Sequence, residues 1–120
     1  MHVKRFSDAE PYEAPNHFGC TSLRLAGFAA DGPKNFWIGL SHFLPGGGAG
    51  PDASPLEKVY VVLSGNLTVR AAGKEESAGP MDTVYIPPGE EREIRNEGND
   101  VVSIIVAMPY PEGAAPGGAS

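Results

Sequence analysis

The chain is short of cysteine, of positive charge and of long apolar runs, and each shortage closes off a class of function. Cys20 is the single cysteine, so an intrachain disulfide, a cysteine-ligated zinc site and a Cys-x-x-Cys redox pair are all ruled out. With 9 lysines and arginines against 15 aspartates and glutamates, the formal net charge is −6. No basic run interrupts that balance, so the cationic stripe that nucleic acid demands is missing. No stretch approaches the length of a membrane span, and the N-terminal MHVKRFSDAEPYEAP lacks the apolar core of a secretion signal. These absences point to a cytoplasmic protein with neither nucleic-acid nor membrane partners.

What the chain has in plenty is turn formers. Its 120 residues, enough for one domain, include 16 Gly and 12 Pro. They separate short runs rich in β-branched and aromatic residues, a pattern that favours strands joined by tight turns over a helical bundle. Strands are expected over 20–29 with a break at Gly27, over 36–44 ended by Pro45-Gly46-Gly47-Gly48, and over 57–63 and 67–72. Further strands are expected over 84–86, 91–96 and 101–108. The total is an all-β barrel or sandwich with no required helix. Residues 1–17 read as an N-terminal arm with at most a turn of helix, 18–109 as the barrel domain, and 110–120 as a flexible tail of Pro, Gly, Ala and Ser. Along 36–44 and 57–63 both side-chain parities carry large apolar groups, so both faces are expected to be covered.

Two turn-flanked segments stand out: PGGGAGPDASPLEKVYVVLSG over 45–65 and GPMDTVYIPPGEEREIRN over 79–96. Together they resemble the paired motifs of the cupins, small double-stranded β-helix barrels of jelly-roll type. In that family the first motif carries a His-x-His pair, then a Glu, then a closing Gly. The second carries Pro-x-Gly, then a His, then an Asn. Aligned on Gly65, the first motif's ligand positions fall on Asp52, Ser54 and Lys58. Pro87-x-Gly89 and Asn96 match the second motif, whose His falls on Arg92. The resemblance implies the cupin fold, with Lys58 inside the barrel and Asp52, Ser54, Lys58 and Arg92 meeting in one pocket. It also implies pairing into a homodimer through a sheet face or an exchanged strand, which two-sided apolar strands would suit.

At those positions an ammonium and a guanidinium have no lone pair for a divalent ion, so neither a metal nor another cofactor is expected. Two cations in a cavity need a compensating anion. Arg92 is therefore expected to clamp a small anionic or carbonyl metabolite, assisted by Ser54, with Tyr60 and the aromatics of 36–44 as an apolar wall. Lys58, desolvated beside a second cation, would have a lowered pKa and serve as base or Schiff-base nucleophile. With Asp52 or His42 as partner, it would run a metal-independent lyase or isomerase step. Other readings stay open: a non-catalytic sensor or accessory protein, a salt-bridge cluster closing the barrel mouth, and a metalloenzyme with a displaced site of His42, Asp52 and Glu57. His42 shares its strand parity with Ile38 and Leu40, and a lone His among apolar neighbours is more often packing than ligand. His2 and His17 lie in the arm with no constellation around them.

Overall fold

The computed structural model describes residues 1–112. The strands are β1 (Glu10–Tyr12), β2 (His17–Ala26), β3 (Trp37–Asp52), β4 (Lys58–Ser64) and β5 (Leu67–Ala71), followed by β6 (Lys74–Ala78), β7 (Thr83–Ile86), β8 (Arg92–Arg95) and β9 (Val102–Met108). One 3₁₀ turn, Phe6–Asp8, precedes them, and there is no α-helix among the described residues. Every pairing is antiparallel, in the order β6-β5-β8-β3-β9-β4-β7, with β2 also on β3 and β1 outside β2. The expected all-β barrel is the observed fold.

β3 organises the barrel, and here the structure departs from expectation. Pro45–Gly48 does not end the strand; it bends it. Residues 37–43 pair with β9, whereas residues 48–52 pair with β8, so one strand serves two walls. Glycine is required at the bend because the backbones nearly touch. A Cβ on Gly47 would lie 2.3 Å from the Gly19 carbonyl oxygen, and one on Gly48 would lie 2.2 Å from that of Ile94. Asn96 secures the same corner. It is buried, and its amide donates to the carbonyls of Phe43 and Asp100 at 2.9 and 2.8 Å.

The inward faces follow a period of two. On β4 they are Lys58, Tyr60 and Val62; on β8, Arg92 and Ile94; on β9, Val102, Ile104 and Val106. Phe43, Val62, Leu67, Ile94, Val102 and Ile104 close one part of the barrel as a continuous apolar core. β6 is an exposed edge strand of polar residues, KEESA, which is why no apolar alternation announced it. The expected arm contains β1, and its last residue, His17, opens β2. Tyr110, expected in a flexible tail, instead donates its hydroxyl hydrogen to the Pro33 carbonyl and accepts one from the Phe28 amide. Residues 113–120 of that expected tail lie outside the described residues.

Candidate functional site

The other part of the barrel holds a cavity of about 520 Å³. Asp52 ends β3 and Arg92 starts β8, and the two are direct cross-strand partners. The Arg92 Nη1 donates to Asp52 Oδ1 at 2.6 Å, and its Nε donates to the Tyr60 hydroxyl at 2.7 Å. Asn16 lends Asp52 a longer contact from its amide, at 3.4 Å. Burial raises the Tyr60 hydroxyl pKa, against the pull of the Arg92 charge.

Lys58 opens β4 two residues before Tyr60, so both side chains face inward. It is 8% exposed and makes no ion pair among the described residues. Desolvation lowers its pKa, the Arg92 charge lowers it further, and Asp52 opposes both. Ser54 lines the same wall, but its hydroxyl is engaged by the Leu56 amide at 3.1 Å. Asp52, Ser54, Lys58, Tyr60 and Arg92 thus all line this one cavity.

His42 does not join them. It lies on the opposite face of β3 with Leu40, and its Nδ1 is 2.7 Å from Ser103 Oγ on β9. Glu57, the other arm of a displaced metal site, instead accepts a hydrogen bond from the exposed Tyr85 hydroxyl at 2.9 Å. The imidazole that does enter the cavity is His17, which had no constellation in the sequence. Its Nδ1 sits 2.8 Å from the Pro15 carbonyl. A carbonyl only accepts, so Nδ1 carries the hydrogen and the neutral ring keeps its Nε2 lone pair. Burial lowers the His17 pKa, as do Arg92 and Lys58, while the Pro15 and Asp52 contacts oppose them. The ring stacks on Phe43 at 6.3 Å between centroids. Its proximity to Asp52 and Lys58 follows from β2 lying beside the second half of β3, a pairing no local pattern announces. Arg24 and Tyr12 also line the cavity and were likewise not anticipated.

This donor set does not suit a divalent transition ion. The two cations offer it no lone pair, the Asp52 carboxylate is held by Arg92, and His17 contributes one nitrogen. No cluster of three or more His, Cys, Asp or Glu side chains placed to hold an ion occurs among the described residues. The buried end of the cavity therefore carries the ammonium of Lys58, the guanidinium of Arg92, one carboxylate already paired with it and one imidazole.

A small antiparallel barrel with a side-chain-lined pocket defines the class. The particular family follows from comparison: the family model described as "Cupin domain" matches residues 39–108, and the chain belongs to that family. It is 39% identical over 111 residues to the "Beta-D-galactosidase Rv1717" of Mycobacterium tuberculosis, covering 92% of this chain and 96% of that protein. It is 27% identical to the "Auxin-binding protein 1" of Arabidopsis thaliana, covering 91% of this chain and 59% of that one. Among solved structures, the polyketide cyclase RemF from Streptomyces resistomycificus superposes with a TM-score of 0.80 at 21% identity, over 100% of this chain and 87% of that one. That likeness establishes the fold alone. The protein is a cupin, and cupins commonly hold small ligands in the barrel.

Proposed function

We propose that the cavity binds a small anionic or carbonyl metabolite and moves a proton on it without a metal ion, as a lyase or isomerase. The observation that carries this reading is a charge imbalance: Arg92 has one carboxylate, Asp52, and Lys58 has none. A ligand carboxylate or enolate supplies the missing negative charge. The neutral fraction of Lys58, enlarged by its lowered pKa, takes the proton next to the carbonyl. His17, neutral and with Nε2 free, handles a proton at a second position. Arg92 holds the developing oxyanion, and Asp52 and Tyr60 fix the plane of its guanidinium.

Pyruvate, a carboxylate with an adjacent carbonyl, is a suitable probe. Wild-type protein should bind it in calorimetry and accelerate deuterium uptake into its methyl group in D₂O. Lys58→Met should lose both. Binding without exchange would leave a non-catalytic sensor; retained binding in the variant would sink the anion reading.

A second reading rests on the 39% identical relative named as a β-D-galactosidase. Glycoside hydrolysis usually needs two carboxyl groups flanking the bond. The carboxylates lining this cavity are Asp52, Glu13 and Glu112. Release of nitrophenol from nitrophenyl β-D-galactoside, abolished by Asp52→Asn, would favour hydrolysis over proton transfer.

The homodimer belongs to this proposal as well. Leu23, Leu40, Ile105 and Val61 align across β2, β3, β9 and β4 on the outer face, an apolar row that a second copy would cover. No helix of the structure is long and apolar enough to cross a membrane. A cytoplasmic setting remains the reading that Cys20, unpaired, suits best.

A further inference from the structure

Four neighbouring strands, β2, β3, β9 and β4, carry one inward row: Arg24, Gly39, Val106 and Tyr60. Its ends stand three strand spacings apart, roughly 14 Å along the sheet. Tyr60 marks the end already described, where Arg92 and Lys58 lie. Arg24 marks the other end. Between them the wall is uncharged: the Tyr12 hydroxyl and the Trp37 ring cover Gly39, and Trp37 and Val106 face the cavity. A Cβ on Gly39 would come within 2.7 Å of the Tyr12 hydroxyl and 2.8 Å of the Trp37 ring.

Among the described residues, Arg24 is a second cation without a carboxylate partner. Its guanidinium carbon lies 4.1 Å from the Phe28 ring centroid and 5.2 Å from that of Tyr12. Its Nε is buried with no hydrogen-bond partner, and it forms no ion pair among the described residues. Glu10, its cross-strand neighbour on β1, is taken by Lys4 at 2.8 Å. Glu13 and Glu112 line the cavity but are exposed and unpaired with Arg24. The aromatic faces hold the guanidinium in place and favour its charge, yet its Nε is left without an acceptor among the described residues. A polar head with an unspent donor in the wall of a ligand cavity is a binding element.

We infer that the ligand has two anionic heads: a small dicarboxylate with one carboxylate on Arg92 and Lys58, the other on Arg24, and its spacer along the Trp37 and Val106 wall. This rests on the anion reading of Arg92 and Lys58. It adds a specificity rule, since a single-headed acid of the same length would leave Arg24 unsatisfied.

Calorimetric titration at fixed salt tests it. Succinate, adipate and suberate are compared with butyrate, hexanoate and octanoate, their chain-matched single-headed acids. One diacid of the three should bind wild-type protein about tenfold or more tighter than its match, the size of one charge-assisted contact. Arg24→Gln should erase that advantage without changing monocarboxylate affinity, and Arg24→Lys should keep most of it. If monocarboxylates bind through Arg92 and Lys58 but no diacid does better, or if Arg24→Gln keeps the diacid advantage, the second head is refuted and the first site stands. If no acid of either kind binds, both readings fall together. Should Arg24→Gln not fold, the wild-type chain-length series decides alone.

Discussion

Two arginines on adjacent strands meet opposite fates. Arg70 of β5 points outward and gathers three carboxylates, those of Glu75, Glu93 and Glu97, at 2.7, 3.1 and 2.9 Å. These contacts hold its pKa above the ordinary value. Arg92 of β8 points inward and has Asp52 alone, with uncompensated Lys58 in the same cavity. The two environments alternate along a single strand: Arg92 and Ile94 face in, Glu93 and Arg95 face out. On the surface, where water would have screened any imbalance, charge is over-compensated. In the cavity, where an imbalance is costly, one has been left. A protein built only for stability would distribute its carboxylates the other way, and this supports the proposal that a ligand's charge completes the cavity.

The contrast breaks most visibly at Arg92. Arg92→Met strips the Asp52 carboxylate and the Tyr60 hydroxyl of their donor. Pyruvate affinity should fall by about 100-fold or more, the cost of truncating one partner of a buried charged contact. Stability in urea should drop by about 2–3 kcal/mol, below the full penalty for a broken buried pair, because the Asp52 side chain is 37% exposed. An unaltered pyruvate Kd would place the anion elsewhere.

Lys58→Met should act in the opposite direction on stability. It removes a desolvated cation with no carboxylate, so the folded state should gain about 1 kcal/mol, in the range of other stabilising replacements that sacrifice function. A destabilised variant would reveal a counter-charge beside Lys58.

A pH series sharpens the comparison without changing a residue. The folded-state pKa of Lys58 lies below its ordinary 10.5. Between the two values the unfolded chain holds a proton that the folded chain has released, so stability rises with pH across that window and is lost as pH falls through it. Binding runs the other way: pyruvate affinity should weaken as pH rises through the folded-state value. Lys58→Arg should flatten both profiles, and an identical slope in that variant would assign the titration to another group.

The smallest effect is expected at Arg70→Ala. Its three partners are open to solvent on at least one side, so the urea midpoint should barely move and pyruvate binding should be unchanged.

Much of the barrel was legible because its rules are local. Alternation divided β4 into two sets without saying which faced in, and the resemblance to the cupin motifs, through Gly65 and Pro87-x-Gly89, placed Lys58 and Arg92 inside the barrel. The glycine run after Leu44 misled, since turn chemistry looks the same whether a strand ends or bends toward a new partner. β6 was invisible because an exposed edge strand has no apolar face to conserve its period. His42 and His17 show the limit from both sides: one sat in an apolar strand and turned outward, the other sat in an apparent arm and entered the cavity.

Residue-level chemistry settled the strand class and most of the turns, because propensity and φ preference belong to individual residues. Tertiary structure alone decided that His17 and Arg24 share a cavity with Lys58, and that Arg70 would be saturated with carboxylates while Arg92 was not. Those facts depend on which strands lie beside β3, and strand pairing joins residues far apart in the chain through backbone hydrogen bonds that every residue type makes alike.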